Sequence, residues 1–243
     1  MIAGLDPWVL VAIAAGVLTG AIVQGVVGLG LNLLTAPVVT LVAPELVPVV
    51  PLWLALVYPL GALRREWQDA DFAGMRWALG GRVPGTAVGV LVVAWASDRV
   101  LGVSVGLMVL LAVLLTWRAV RVPVTAGSLT SAGFVAGVTG TATSIGGPPL
   151  AIVYQHHEAA EIRATMAVFF AAGALLSLLG LGAGGQLGLP DLYVALLLTP
   201  VLVAGHLLSV LLRPRLDPGH TRAAVLTICA LSGAVLLVRS LAG

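Results

Sequence analysis

The chain has no lysine, and its 12 basic residues are all arginine. Charged residues make up only 9% of its 243 positions, against about a quarter in an ordinary soluble domain. So little charge excludes a freely soluble fold. A formal charge of +2 with no basic run also gives no reason to expect nucleic acid as a partner. The single cysteine, Cys229, lies inside an apolar run, which excludes an internal disulfide and a cysteine metal cluster. Of the four histidines only His156 and His157 are neighbours, and no spacing suits a metal. The His156-His157-Glu158 stretch reads as a solvated turn. No G-x4-G-K-S/T, G-x-S-x-G or H-E-x-x-H pattern occurs, so the chain carries no nucleotide-binding loop and no recognisable hydrolase or metalloprotease centre. An enzyme is not expected, and neither is a cofactor. The N-terminal segment has Asp6 but no basic residue before its apolar run, so it is expected to be retained rather than cleaved as a signal peptide.

What is present is apolar surface: 60% hydrophobic residues and a mean hydropathy of +1.11. Several windows longer than 18 residues lack Asp, Glu and Arg, long enough to cross a hydrocarbon core about 30 Å thick. Hydropathy and helix breakers together mark eight segments, at 8–43, 45–63, 77–96, 100–117, 128–155, 164–183, 191–212 and 223–238. The first and fifth are interrupted, by "GVVGLGLNLLTAP" at 25–37 and "GTATSIGGPP" at 140–149. Proline removes a donor and clashes with the preceding turn, so Gly-Gly-Pro-Pro at 146–149 should end one half-helix and begin another. Such backbone survives at membrane depth only where it is buried in protein or lines a watery cavity.

The arginines decide the topology. Arg64, Arg65 and Arg76, with Arg82 just inside the next span, mark the loop 64–76 as cytoplasmic. Two further spans then put Arg99 outside and Arg118 and Arg121 inside. If segment 128–155 crossed the membrane once, Arg213, Arg215 and Arg222 would lie outside. If it enters and returns, they lie inside with Arg163, and ten arginines stand against Arg99 and Arg239. Its 28 residues are also too few for two crossings of about 20 each. The segment is therefore re-entrant.

The halves look related at an offset of 116. Leu29-Gly30 meets Ile145-Gly146, Glu45-Leu46 meets Glu161-Ile162, and Pro84/Gly89 meets Pro200/Gly205. The expected fold is an all-α polytopic membrane protein with two inverted-topology repeats, about 8–121 and 128–240. Each is a re-entrant, broken-helix hairpin plus three transmembrane helices, and together they form a single membrane transport domain over 1–243. In secondary transporters built this way, the substrate site lies near the midplane at the discontinuous helices.

The stretches "GVLTGAIVQGVVGLGLNLLTAPVV" (16–39) and "GFVAGVTGTATSIGGPPLAIVYQ" (133–155) resemble the paired glycine-rich motifs of the sulfite exporter TauE/SafE family of bacterial membrane transporters. The resemblance covers essentially the whole chain, though "GLGLN" stands where the family more often has consecutive glycines. It implies export of sulfite or small organosulfur and sulfonate anions across the bacterial cytoplasmic (inner) membrane. The partners expected are a small anionic substrate and the lipid bilayer. Coupling to H⁺ or Na⁺ is open, as is a homodimer. A passive anion channel, an intramembrane enzyme and a structural scaffold rank behind a carrier working by alternating access.

Half-helix N-termini offer N–H groups and partial positive charge to an anion, which points to Gly28, Gly30, Gly146, Gly147 and Pro148. Thr141, Thr143 and Ser144, with Asn32 and Thr35 in the other half, are candidate donors to its oxygens; against this, small residues also serve close helix packing. His206, inside a late span, is a candidate for proton coupling or anion pairing, and the plain alternative is a histidine bonded to backbone. Arg82 and Arg163, at span starts, either draw anions toward a vestibule or snorkel. Glu45 and Glu161 suit helix N-termini, Gln24 and Gln155 suit freed backbone groups at the breaks, and Trp8, Trp53, Trp95 and Trp117 suit the membrane interface.

Overall fold

The computed structural model describes residues 5–117, 122–213 and 218–242, without the side chains of 62, 64–66, 116, 117, 218–225 and 242. Arg118, Arg121 and Arg215 therefore lie outside the described residues, as do the side chains of Arg64, Arg65, Trp117 and Arg222. The described residues form ten α-helices: α1 (Pro7–Val27), α2 (Leu31–Val42), α3 (Val49–Glu66), α4 (Phe72–Trp95), α5 (Asp98–Trp117), α6 (Ala126–Thr143), α7 (Pro148–Tyr154), α8 (Ala159–Ala183), α9 (Leu189–Leu212) and α10 (Pro218–Ala242). Single 3-10 turns at Pro44–Leu46 and Trp67–Asp69 flank α3. Each of the eight apolar segments is found, and both interrupted ones are split in two.

Among the described residues five helices are long and apolar enough to cross a membrane: 7–27, 72–95, 98–115, 159–183 and 189–212. With this composition the chain is a multi-pass membrane protein. Local chemistry sets the helix ends. Asp71 accepts a hydrogen bond from the Gly74 N–H at 2.8 Å and starts α4 at residue 72, five residues before the hydropathy edge at 77. The hydroxyls of Thr125 and Ser128 form a capping box that starts α6.

Both interrupted segments are hairpins, but not of two equal half-helices. α1 has 21 residues and α2 has 12, while α6 has 18 and α7 only 7. At 1.5 Å per residue, each hairpin is one arm of about 27–31 Å and a shorter return. In the first, α2 folds back along α1: the Thr35 hydroxyl donates to the Gly16 carbonyl at 3.3 Å, and Gly20 lies against Leu31. In the second, Gly146 packs on Gly140 and Ala136, and Leu150 and Tyr154 share a core with Leu129 and Ala132.

Glycines make the long seams. Gly81, Gly85 and Gly89 of α4 lie against Thr130, Phe134 and Thr141 of α6 in ascending order, so these helices run parallel. Gly205 of α9 lies against Ala21 of α1, and Ser209 against Gly25, so this pair is parallel as well. α3 and α8 are antiparallel. Val49 and Leu52 share a cluster with Leu178 and Leu181 at one end, and the Asp71 N–H meets the Thr165 hydroxyl at the other. α5 and α10 are also antiparallel, with Gly102 on Ser240 and Gly106 on Leu237. Their shared end brings together Arg99 and Arg239, the two arginines assigned to the outside.

Two larger cores result, one around α1, α2, α3, α5, α9 and α10, the other around α4, α6, α7 and α8. Ile145 of the second break is buried in the first core, while Leu29 of the first break packs against both. Each break thus reaches out of its own half.

Candidate functional site

The first break is built by glycine and glutamine. Gly28 (φ 87°) and Gly30 (φ 147°) take backbone conformations that side chains resist. The Gln24 amide bridges the gap, its Oε1 accepting from the Leu31 N–H at 3.0 Å and its Nε2 donating to the Gly28 carbonyl at 3.2 Å. Gln24 therefore closes the N-terminus of α2, the role anticipated for it. At the second break Ser144 ends α6 in the left-handed region (φ 63°), uncommon for a residue with a side chain. Its hydroxyl donates to the Pro48 carbonyl at 3.0 Å. Pro148 and Pro149 open α7 without N–H groups, and the N–H groups of Leu150 and Ala151 both turn to the Gly147 carbonyl. The remaining main-chain donors at this turn are those of Gly146 and Gly147.

The two breaks meet tip to tip. Asn32 Nδ2, in the first turn of α2, donates to the Ser144 carbonyl at 2.9 Å and to the Pro51 carbonyl at 3.1 Å. Around this contact lies a cavity of about 410 Å³, bounded by Gly30, Asn32, Tyr58, Ser144, Gly146 and Phe170 among others. Gly147 and Pro148 also line it. A second void of about 750 Å³ adjoins it, with Gln24, Tyr58 and Pro59 common to both walls. This outer void is the more polar of the two: Gly28, Arg163, His206, Ser209 and Arg213 line it. The His206 ring meets that of Tyr58 edge-on, with centroids 5.1 Å apart.

Of the anticipated residues, the central cavity gathers Gly30, Asn32, Ser144, Gly146, Gly147 and Pro148, and the vestibule gathers Gly28, Arg163 and His206. Thr35, Thr141, Thr143 and Arg82 line neither. Thr35 and Thr143 donate their hydroxyls to the carbonyls of Gly16 and Thr139, and Thr141 pairs with Ser177 at 2.8 Å. The Thr35 and Thr141 contacts knit helices together, while that of Thr143 stays within α6. Arg82 does not begin its span: it is 3% exposed, well inside α4, because the Asp71 cap starts that helix early. Snorkelling is excluded for it. Glu45 sits in the 3-10 turn before α3 rather than in its first helical turn, whereas Glu161 lies in the first turn of α8 and pairs with His157 Nδ1 at 2.9 Å. Trp8 and Trp95 are exposed at helix ends, but Trp53 is half-buried and its Nε1 meets the Thr199 hydroxyl at 3.4 Å.

Tyr58, Phe170, Ser209 and Arg213 enter the site without having been singled out for it. The sequence signal for Tyr58 is a phenol beside a proline within an apolar run, and Arg213 had served only to orient the chain. No group of three or more His, Cys, Asp or Glu able to hold a metal occurs among the described residues.

Neither the curated proteins nor the solved structures contain a match to this chain. The family model described as "Sulfite exporter TauE/SafE" matches residues 12–236, taking in both hairpins and every residue lining the two voids. Broken helices in both halves and an arginine-lined approach to a small cavity suit such a carrier, and by this match the chain belongs to the TauE/SafE sulfite exporter family, as a membrane transporter of sulfite-type anions and not an enzyme.

Proposed function

We propose that the cavity between the two breaks is the substrate site, and that the chain carries sulfite or a small sulfonate out of a bacterial cytoplasm across the inner membrane by alternating access. One observation carries the reading. The broken stretches of the first and fifth apolar segments meet through Asn32 and Ser144 at a cavity that adjoins an arginine-lined vestibule. The vestibule lies on the side that the arginine distribution assigns to the cytoplasm, so an anion loads from within.

Two inverted repeats supply the moving parts. α4 packs along α6 as α9 packs along α1, and the matched glycines Gly89 and Gly205 lie at equivalent crossings. α4, α6 and α8 run one way and α1, α3 and α9 the other, so each helix opposes its counterpart in the other half. Rocking one half against the other moves the tips apart on alternate sides. His206, on the vestibule wall against Tyr58, is our candidate for coupling a proton or pairing with the anion.

The test is sulfite flux into proteoliposomes under imposed pH and Na⁺ gradients, beside Gly147→Leu. A Cβ on Gly147 would fall 2.7 Å from Leu29 Cδ1 and 2.8 Å from Phe170 Cζ, so leucine there fills the cavity. Saturable, gradient-dependent flux that this variant abolishes while still folding is expected. Flux linear in concentration and indifferent to both gradients would mean a channel instead.

A further inference from the structure

Arg82 is 3% exposed, and its Nε and Nη1 have no hydrogen-bond partner. Phe169 covers one face of the guanidinium, 4.6 Å from ring centroid to Cζ. Glycines form the rest of its bed: Gly173 of α8 packs directly on the group, and a Cβ on Gly140 of α6 would lie 3.0 Å from Nη2. A Cβ on Gly146 would lie 3.2 Å from Nη1, and Gly146 also lines the central cavity. The charge thus stands one glycine behind the cavity wall.

Among the described residues no carboxylate faces it. α6 contains no ionisable residue. The one acid of α8, Glu161, is paired with His157 at the far end of that helix, and the other ionisable residue of α4 is Arg76. α7 contributes only Tyr154, whose hydroxyl is bonded to Asp71. The polar side chains on the cavity wall itself, Gln24, Asn32, Tyr58 and Ser144, carry no charge. A guanidinium withdrawn from water is costly unless an anion compensates it, and at this range in a low-dielectric interior its field acts strongly on a bound anion.

Resting on the reading of this cavity as the substrate site, we infer that Arg82 supplies its one fixed positive charge through the Gly146 wall, and that the site therefore takes a monoanion, hydrogensulfite or an alkanesulfonate, over a dianion. One charge balances one charge. A dianion would leave a net negative charge beside Arg82 in the membrane interior, since Arg163 and Arg213 line the adjoining vestibule and not the cavity itself. Arg82 is a positioning residue acting through space, and its glycine bed is what lets the charge approach so closely.

Competition on sulfite flux in proteoliposomes tests this on the unaltered protein. Methanesulfonate in excess should suppress sulfite flux, and sulfate, a dianion of comparable size, should not. From pH 6.5 to 8.5 the KM reckoned as total sulfite should rise about tenfold per unit once hydrogensulfite ionises, while the KM reckoned as hydrogensulfite stays constant. Leak in protein-free vesicles is subtracted. The pH-invariant charge of methanesulfonate makes its inhibition constant a gauge of titration by His206 or Tyr58. Arg82→Gln should raise KM at least about tenfold with a smaller change in maximal flux, and Arg82→Lys should recover most of that loss. Equal competition by sulfate, a KM constant in total sulfite, or a folded Arg82→Gln with unchanged KM would each overturn the inference while leaving the carrier reading intact. Absence of any sulfite flux would overturn the carrier reading, and this inference with it.

Discussion

Asn32 ties one break to the other by a hydrogen bond, so its removal tests whether their contact governs transport. The perturbation is Asn32→Ala, with Asn32→Asp beside it. Alanine removes hydrogen bonds of 2.9 and 3.1 Å to the carbonyls of Ser144 and Pro51. Between membrane helices such bonds measure roughly 0.6–1.7 kcal/mol each, giving about 1–3 kcal/mol for the pair. The Asn32 Oδ1 is buried with no partner, so losing it returns about 1 kcal/mol. The net loss is up to about 2 kcal/mol, enough for roughly a tenfold shift away from the docked tips. Aspartate keeps the shape but turns acceptor oxygens on two carbonyls and sets a negative charge beside the anion, so its loss should exceed that of alanine. The assay is saturation of sulfite flux in proteoliposomes, with thermal stability in detergent as a check on folding. KM should rise by about tenfold in Asn32→Ala and further in Asn32→Asp. If both variants keep the parent KM, the tip contact does not govern the site. If only stability falls, the contact is structural.

Gly80 and Gly81 are adjacent in α4 but face differently. A Cβ on Gly81 would collide with the Thr130 carbonyl, whereas one on Gly80 meets nothing within 4 Å. Gly81→Ala should therefore lower stability in detergent by at least about 1–3 kcal/mol by forcing the α4–α6 seam apart, while Gly80→Ala should be neutral or gain up to about 1 kcal/mol of helix propensity; equal behaviour would refute the seam. Asp71 lies just outside the membrane-spanning part of α4. Its partial burial favours the neutral acid, but hydrogen bonds from the Gly74 N–H, the Tyr154 hydroxyl and the Ala73 N–H, with His157 nearby, outweigh this and hold its carboxyl below the usual range. A carboxylate with a lowered folded pKa stabilises fully above its unfolded pKa and loses that contribution as pH falls through the folded one. Wild-type melting temperature should thus drop in acid below the ordinary carboxylate range, a drop that Asp71→Asn should lack; parallel acid profiles would remove Asp71 from the account.

The breaks were legible because their chemistry is local. Proline and glycine act on their own backbone, and Gln24 lies a few residues from the groups it satisfies, so "GVVGLG" and "IGGPP" announce the turns. The paired Pro84/Gly89 and Pro200/Gly205 were legible as a pattern, although why glycine is needed at 89 and 205 is visible only once α6 and α1 are packed against them. The depth of Arg82 was hidden. Hydropathy begins the span at 77, but an aspartate six residues earlier caps the helix, and it is held by partners 83 and 94 residues away in Tyr154 and Thr165. Hydroxyls misled for the opposite reason. Thr35 and Thr143 look available in a polar stretch, and only the fold reveals the carbonyls that receive their protons.

On the inverted-repeat reading proposed above, a repeated scaffold would account for two gates, but not for the difference between the two faces of the site. At the offset of 116 that relates the halves, Arg82 corresponds to Leu198, His206 to Val90 and Tyr58 to Ala174. Gly89 and Gly205 match across the halves, but the seam glycines Gly81 and Gly85 correspond to Leu197 and Val201, and the ionisable and phenolic groups at the site occur once each. The seams are therefore repeated only in part, and the chemistry is not repeated. In the alternating-access cycle proposed above, two tilted arrangements must lie close in energy if neither is to trap the carrier. In that proposed cycle the single arginine behind the second break would keep its place beside the anion, because Arg82 packs directly behind Gly146 of that break. The vestibule arginines, by contrast, serve only the face on which they lie. Affinity would then rest on a charge common to both states, and direction on charges present in one.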